Sequence, residues 1–489
     1  MVFSDLFFLY IFLPAAALCY ALGRCADSAR LAYAEGRSRF RITNCCPYSN
    51  AVLTVFSLIF YAWGEPVYVA LMVESVLMNY AVGLCIDRGK RKSKPALVIG
   101  LILNIGMIAV FKYADFLAGT LDLFGLSVPK PGIALPIGIS FFTFQAISYI
   151  VDVYRGEVRA QRSFPALLLY ISMFPQLIAG PIVRYSTISA EINRRSISFD
   201  DLAEGSFRFL IGLGKKVILA NQLGELSSAF LDGDLSSISA GGAWLGLIAY
   251  TFQIYFDFSG YSDMAIGMGR CFGFHFDENF RAPYISLTIT EFWRRWHISL
   301  GSFFRDYVYI PMGGNRRHQP LNILVVWFLT GLWHGASWNF VLWGLYFGVI
   351  ILIEKYTIIK VQKKIPKVIL HIYSLFVIVF GWALFYFTDF GRLGEFIGIL
   401  FGNGSAGAWD LVAQNQLTGN LWLLIAAAIC CLPMGSLIRM YYDRAAEKPG
   451  AGAEVLLTAG KTVSAAALLI VSTLLLIGST TNPFLYLRF

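Results

Sequence analysis

The chain has 489 residues, of which 57% are hydrophobic and only 14% are charged, and its formal net charge is +9. Soluble domains carry about 25% charged residues, so this composition excludes an ordinary soluble globular protein. Aromatic residues make up 16% of the chain, and Trp and Tyr are typical of the two interfaces of a bilayer. We therefore predict an all-α polytopic membrane protein that contacts the lipid bilayer and has no nucleic acid partner.

Apolar segments recur along the whole chain, and a span needs about 20 mostly apolar residues. They begin near residues 2, 48, 66, 96, 133, 165, 203, 241, 284, 321, 341, 368, 418 and 462. We expect about 11 of these to be true spans, with two or three re-entrant or interfacial helices. The first segment, "VFSDLFFLYIFLPAAALCYALG", carries Asp5 and no basic start, which predicts an uncleaved span rather than a signal peptide. The broken stretch "FPQLIAGPIVRY" (174–185) is typical of backbone that must be buried in protein.

Basic residues cluster between the predicted spans. The clusters are Arg24, Arg30, Arg37, Arg39 and Arg41; "DRGKRKSK" (87–94); Arg155, Arg159 and Arg162; and Lys355, Lys360, Lys363, Lys364 and Lys367. Short cytoplasmic loops collect Lys and Arg, so we expect these loops inside and the N-terminus outside. An alternative role is to attract the phosphates of a cytoplasmic nucleotide-bearing donor. Because no repeat or long soluble segment interrupts the pattern, we expect one membrane domain over residues 1–489.

Ionisable residues are concentrated in the middle third of the chain, from residue 252 to residue 322. Among them are Asp257, Asp263, Arg270, Glu291, Arg294, Arg295, His297, Arg305 and Asp306. Such residues in membrane segments are costly and usually face a cavity or a partner. We therefore predict a polar chamber enclosed by protein, with Asp257 and Asp263 paired to nearby arginines. The eight cysteines show no zinc spacing, so no metal site is expected.

Two histidines each directly follow a tryptophan, His297 in "FWRRWHISL" and His334 in "TGLWHGASWNF". Their separation of 37 residues allows one helix and a turn to bring the imidazoles together. A buried neutral imidazole can accept the proton of a hydroxyl at physiological pH, and that hydroxyl can then attack an acyl thioester. The structural alternative is an imidazole that only hydrogen-bonds a neighbouring helix. We expect His275, His318 and His371 to have local structural roles.

The residues around His334 suggest how it is approached. Gly331 and Gly335 would let an acyl chain or a backbone come close. Ser337 and Trp338 follow at i+3 and i+4, which predicts that they share one helical face with His334.

The long motifs "FWRRWHISLGSFFRDYVYIPMGGNR" and "LWHGASWNFVLWGL" closely resemble the membrane-bound O-acyltransferase family, and within it the branch that O-acetylates bacterial alginate. "FPQLIAGPIVRY", "FQIYFDFSGYSDMAIGMGRCFGF" and the closing "NPFLYLRF" match that branch too, with the densest likeness from 136 to 345. The resemblance implies a ring of about 11 membrane helices around a central funnel. It also implies that His334 is the family's invariant histidine and His297 its second polar position. The chain departs from the branch at Gly301, where a small hydroxyl residue is common, and by having no Arg after Trp382.

The resemblance implies an O-acyltransferase of the bacterial cytoplasmic (inner) membrane that has no permanent cofactor. Acetyl-CoA would be the donor, an extracytoplasmic polysaccharide the acceptor, and His334 the catalytic base. His297 would be the second catalytic residue. The substrate channel would include Trp296, Arg305, Asp306, Trp333, Ser337, Trp338 and Asn339. A secreted or anchored SGNH-type protein and the polysaccharide synthesis machinery would be its partners.

Two alternatives remain at the level of sequence. The first is transfer of another acyl group, such as D-alanine, onto a teichoic acid-type polymer. The second is a transporter or flippase for the polymer or for a lipid-linked sugar, in which the charged segment would form the substrate path. The absence of a clear internal repeat argues against a transporter.

Overall fold

The computed structural model describes residues 1–34, 46–89, 93–178, 180–435, 451–479 and 484–485. The expectations for Arg37, Arg39 and Arg41, for residues 90–92, for residue 179 and for most of the closing "NPFLYLRF" lie outside the described residues.

The described residues are mainly helical, and none of them forms a β-strand. The α-helices are α1 (Leu13–Ala34), α2 (Pro47–Gly64), α3 (Tyr68–Gly89), α4 (Lys94–Ile108), α5 (Ala114–Asp122), α6 (Ile139–Arg155), α7 (Phe164–Ser172), α8 (Phe174–Leu177), α9 (Tyr185–Asn193), α10 (Phe199–Gly214), α11 (Asn221–Leu231), α12 (Ala240–Cys271), α13 (Ile289–Arg295), α14 (Ile298–Phe304), α15 (Gln319–His334), α16 (Trp338–Tyr356), α17 (Ile358–Val361), α18 (Lys367–Tyr386), α19 (Phe390–Leu400), α20 (Leu411–Gly419), α21 (Leu421–Cys430) and α22 (Ala451–Gly478). Four π-helical turns adjoin them, at Phe8–Phe12, Ala109–Tyr113, Lys215–Ala220 and Arg305–Tyr309.

Six helical stretches in the described part of the chain are long and apolar enough to cross a membrane. They are Phe8–Arg30, Tyr68–Gly89, Lys94–Asp122, Trp338–Lys364, Lys367–Tyr386 and Thr458–Gly478. The prediction of an all-helical, multi-pass membrane protein is confirmed. The count of about 11 spans stays a prediction.

The chain divides into two compact units, Met1–Phe209 with Tyr261–Asp277, and Leu210–Gly260 with Glu278–Phe489. In the first unit, α6 is buried along most of its length. Phe12, Phe60 and Phe174 pack around Phe8 there. Both predicted histidines belong to the second unit.

In the second unit, α15 and α16 form a hairpin whose two helices approach closely at glycines. A Cβ atom on Gly344 would lie 2.2 Å from the Trp327 carbonyl oxygen, and one on Gly331 would lie 2.3 Å from the Phe340 carbonyl oxygen. Small residues permit such close approach of two helix backbones. The glycines therefore fix where the end of α15, and with it His334, lies against α16.

The short helix α13 begins at a side-chain acceptor that comes from α16. Glu354 is fully buried and accepts the Ile289 N–H at 2.5 Å and the Thr290 N–H and hydroxyl, both at 2.7 Å. Thr288 accepts the Glu291 N–H at 3.1 Å, which is the N-cap bond of a Thr-x-x-Glu start. The first three amides of α13 therefore have acceptors, although the helix spans only Ile289–Arg295.

Several charged residues of the middle third form separate ion pairs. In the first unit Arg208 contacts Asp263 at 2.9 Å, as predicted for an Asp–Arg pair. In the second unit Asp257 pairs at 2.6 Å with Lys216, and both side chains are buried. The expected arginine partner of Asp257 is therefore wrong, because Lys216 reaches it from the π-helical turn Lys215–Ala220.

The remaining pairs in the second unit are local. Arg295 contacts Glu291 at 2.8 Å, and Arg305 contacts Asp306 at 2.6 Å. Each of these pairs joins residues that lie close together in the sequence.

We predict that Gly344→Ala destabilises the protein. Its Cβ atom would meet the Trp327 carbonyl oxygen, so the α15–α16 hairpin must open at a cost of about 1–3 kcal/mol. Gly394→Ala is the matched control, because a Cβ atom there meets nothing within 4 Å. Thermal unfolding of the two purified variants in detergent measures the difference, and equal midpoints would contradict the close approach.

We also predict that Glu354→Leu lowers stability more than Glu354→Gln does. Leucine leaves the Ile289 and Thr290 amides without their acceptor, and each buried unsatisfied group costs about 1–3 kcal/mol. Glutamine keeps one acceptor oxygen, so its loss should be smaller. Thermal unfolding in detergent is again the measurement, and a leucine variant as stable as wild type would refute this role for Glu354.

Candidate active site

His334 is the last residue of α15 and is buried among aromatic rings. The centroid of its imidazole lies 4.8 Å from the Trp343 ring, 4.9 Å from the Trp333 ring and 5.4 Å from the Phe385 ring. All three rings stand nearly perpendicular to the imidazole. The site therefore holds a titratable ring in surroundings made mainly of aromatic side chains.

His297 lies between α13 and α14 and is also buried. Its ring meets Phe258 edge-on at 4.7 Å, and its Nδ1 atom lies 3.1 Å from the Asn279 side-chain oxygen. His297 lies outside the six candidate spans, and burial lowers its pKa to about 3. The imidazole is therefore neutral at physiological pH and can act as a proton acceptor.

One indole connects the two histidines. The Trp333 ring centroid lies 5.5 Å from His297 and 4.9 Å from His334, so the two imidazole centroids can be no farther apart than the sum of these distances. The structure thus brings together the two Trp-His pairs that the sequence singles out.

A cavity of about 210 Å³ in the second unit reaches His297. Its wall combines aromatic and aliphatic side chains with one arginine and one glycine. The lining residues are Trp293, Trp296, His297, Leu300, Gly301, Phe304, Arg305, Tyr309, Ile323, Val326, Trp327, Thr330 and Ile351. His334 is not among them, so His297 is the imidazole that faces this cavity.

The other predicted channel residues divide into two groups. Trp296 and Arg305 line the cavity, and Asp306 is held by Arg305. Asn339 is buried, and its amide contacts the Leu384 and Phe385 carbonyl oxygens at 3.4 Å. Asn339 thus ties the start of α16 to the end of α18, which carries Phe385 against His334.

The predicted common helical face of His334, Ser337 and Trp338 is wrong. Helix α15 ends at His334, Gly335 is extended, and α16 begins at Trp338 with Ser337 as its N-cap. Trp338 is 42% exposed, so it does not wall the site from beside His334. The physical reason is packing, because Gly331 and Gly335 both lie against Phe340 and the chain must turn there.

The residues that position the two histidines were not among those predicted from the sequence. Asn279 and Glu354 hold the segments that carry His297 and α13, and Trp343 and Phe385 surround His334. A lone acid in the apolar run "GVIILIEKY" was a detectable signal for Glu354, since an ionisable residue in such a segment usually has a specific partner. No local pattern marks Asn279.

Comparison with known proteins gives the family. Residues 154–393, which include both histidines and the cavity, match the membrane-bound O-acyltransferase family. A probable alginate O-acetylase of Pseudomonas syringae is 38% identical over 460 residues, which cover 91% of this chain and 83% of the relative.

Two further relatives are named for other acceptor polymers. The peptidoglycan O-acetyltransferase of Helicobacter pylori is 34% identical over 421 residues, 79% of this chain and 77% of the relative. The teichoic acid D-alanyltransferase of Bacillus subtilis is 29% identical over 230 residues, 44% of this chain and 57% of the relative.

The alginate O-acetylase match covers most of the chain, which carries the apolar spans and the two Trp-His motifs on which the resemblance to the family rests. The chain is a multi-pass O-acyltransferase and belongs to the membrane-bound O-acyltransferase family.

Proposed function

We propose that this chain moves an acetyl group from cytoplasmic acetyl-CoA across the membrane for the O-acetylation of an extracytoplasmic polysaccharide, with His334 as the catalytic base. One observation carries the proposal. The buried imidazoles of His297 and His334 both contact the Trp333 indole, and the His297 imidazole lines a cavity. The names of two relatives, an alginate O-acetylase and a peptidoglycan O-acetyltransferase, support a glycan acceptor and an acetyl group.

The reaction moves one acetyl group and one proton. The acceptor hydroxyl loses its proton and its oxygen bonds to the acetyl carbon, while the carbon–sulfur bond of the thioester breaks and the departing sulfur takes up a proton. His334 would accept the hydroxyl proton, because a neutral imidazole does so without first losing one. His297 would relay the proton on the side of the cavity, where the thiolate leaves.

The cavity at His297 suits the thioester end of the donor. Its mostly aromatic and aliphatic wall excludes water from the acyl group, which would otherwise be lost to hydrolysis. Arg305 lines the same cavity and its side chain is 62% exposed. A guanidinium in that position can bind a phosphate of the donor.

The proposal places the chain in the bacterial cytoplasmic membrane, beside the polysaccharide synthesis machinery. A secreted or membrane-anchored SGNH-type acetyltransferase would complete the transfer to sugar hydroxyls. The multi-pass architecture supports a route through the bilayer, since a donor on one face and a polymer on the other must be connected.

D-alanyl transfer onto a teichoic acid-type polymer is the second candidate, and the Bacillus subtilis relative favours it. That relative matches 44% of this chain, whereas the alginate O-acetylase matches 91%. Label transferred to polymer from acetyl-CoA, and not from a D-alanyl carrier protein, would support acetylation. Membership in an acyltransferase family favours either enzyme over the transporter alternative.

We predict that His334→Ala lowers acetyl transfer by about 10²–10⁴-fold, the range typical of general acid–base catalysis. The measurement is radiolabel passed from acetyl-CoA to polymer in membranes that contain equal amounts of each variant. His275→Ala is the control, because that exposed imidazole pairs with Glu191 in the other unit. Near-normal transfer by the His334 variant would remove His334 from the mechanism.

We predict that Gly301→Trp lowers transfer at least about tenfold by blocking the cavity. A Cβ atom at 301 has only the Trp293 carbonyl oxygen within 4 Å, at 3.9 Å. A large side chain can therefore enter the cavity without moving the backbone, so activity should fall while the unfolding midpoint stays close to that of wild type. Gly394→Trp, on an open surface, is the matched control. Full activity of Gly301→Trp would show that the donor binds elsewhere.

A further inference from the structure

A single asparagine contacts the ring of His297 and the backbone of the two residues that follow it. The Asn279 side-chain oxygen lies 3.1 Å from His297 Nδ1, 3.2 Å from the Ser299 N–H nitrogen and 2.9 Å from the Ser299 hydroxyl. The Asn279 main-chain oxygen accepts the Ile298 N–H at 3.0 Å. Asn279 is fully buried, so no water competes for these contacts.

The orientation of the Asn279 amide follows from its neighbour. The Ser299 main-chain N–H can only donate, so the amide atom that faces it must be the oxygen. The same oxygen faces His297 Nδ1. The contact is attractive only if Nδ1 carries a hydrogen, because a bare nitrogen would direct its lone pair at the lone pairs of the oxygen.

The tautomer of His297 follows in turn. In a neutral imidazole one nitrogen donates and the other accepts. With Nδ1 as the donor, Nε2 carries the lone pair. The competing arrangement, in which the Ser299 hydroxyl donates to Nδ1, has the longer distance of 3.4 Å and would leave Nδ1 facing the Asn279 oxygen without a hydrogen.

The backbone at His297 is held by the same contacts. His297 has φ +44 and ψ 54, in the left-handed region, which costs a non-glycine residue roughly 1–2 kcal/mol. Such strain persists only where the surroundings hold it, and it is concentrated at functional sites. The bonds of Ile298 and Ser299 to Asn279 supply that restraint immediately after His297.

We propose that Asn279 is the positioning residue of His297, and that it holds the imidazole as the Nδ1–H tautomer so that Nε2 is the nitrogen that exchanges the proton during acyl transfer. The inference rests on the proposed function, in which His297 relays the proton. It adds the atom at which the relay works: Nε2 receives, by way of His334, the proton that the acceptor hydroxyl releases and gives it to the departing sulfur, while the Nδ1–H bond to Asn279 stays intact throughout.

The test is the nitrogen-15 NMR spectrum of protein labelled at its five histidines and purified in detergent, since protonated and bare ring nitrogens differ in chemical shift. The His297 signals are assigned as those that disappear in His297→Gln. We expect a protonated Nδ1 and a bare Nε2 in the wild type and in Asn279→Asp, which keeps an acceptor oxygen. Asn279→Leu should shift the population towards Nε2–H and lower acetyl transfer at least about tenfold. Asn322→Leu, at a buried asparagine bonded to the Gly314 and Arg317 carbonyl oxygens, should leave the His297 signals unchanged.

The outcomes separate the two proposals. A wild-type spectrum with Nε2 protonated, or an Asn279→Leu variant with an unchanged tautomer, would overturn the role of Asn279. So would an Asn279→Leu variant that changes tautomer and keeps full activity. Full activity of His297→Gln would instead remove His297 from the proposed function, whatever the tautomer in the wild type.

Discussion

The short helices around the candidate site depend on hydrogen-bond acceptors that other parts of the chain supply. A helix as short as α13 or α14 leaves most of its amide groups without a partner inside the helix, and a buried amide without a partner is costly. Glu354 accepts two amides at the start of α13, and Asn279 accepts two at the start of α14. The position of His297, which lies between these helices, is therefore set by residues distant in sequence.

Helix α16 links this arrangement to His334. At one end Phe340 packs against Gly331 and Gly335, which places the end of α15. Farther along, Trp343 meets the His334 ring, and near the other end Glu354 holds α13. One helix thus locates both imidazoles. A change in its packing against α15 would alter the geometry of the two together rather than that of either one alone.

The composition and the motifs of the sequence correctly predicted the helical membrane fold and the family. They also indicated that the two Trp-His pairs could lie close together, as they do. The sequence predicted the local geometry less well. Periodicity alone continued the helix past His334, but packing of Gly331 and Gly335 against Phe340 ends it. The clustered charges predicted an arginine partner for Asp257, but Asp257 pairs with Lys216. Asn279 could not have been predicted, because its role depends on a long-range contact that leaves no periodic signal.

The contact of both imidazoles with the Trp333 indole has a consequence for the proposed function. His297 lines the cavity and His334 does not, so the two rings are suited to different ends of one transfer. The indole that contacts both rings is large and mostly apolar, so in the proposed transfer it would limit the access of bulk water to the thioester. Under that proposal, the proton and the acetyl group would pass between donor and acceptor away from bulk water.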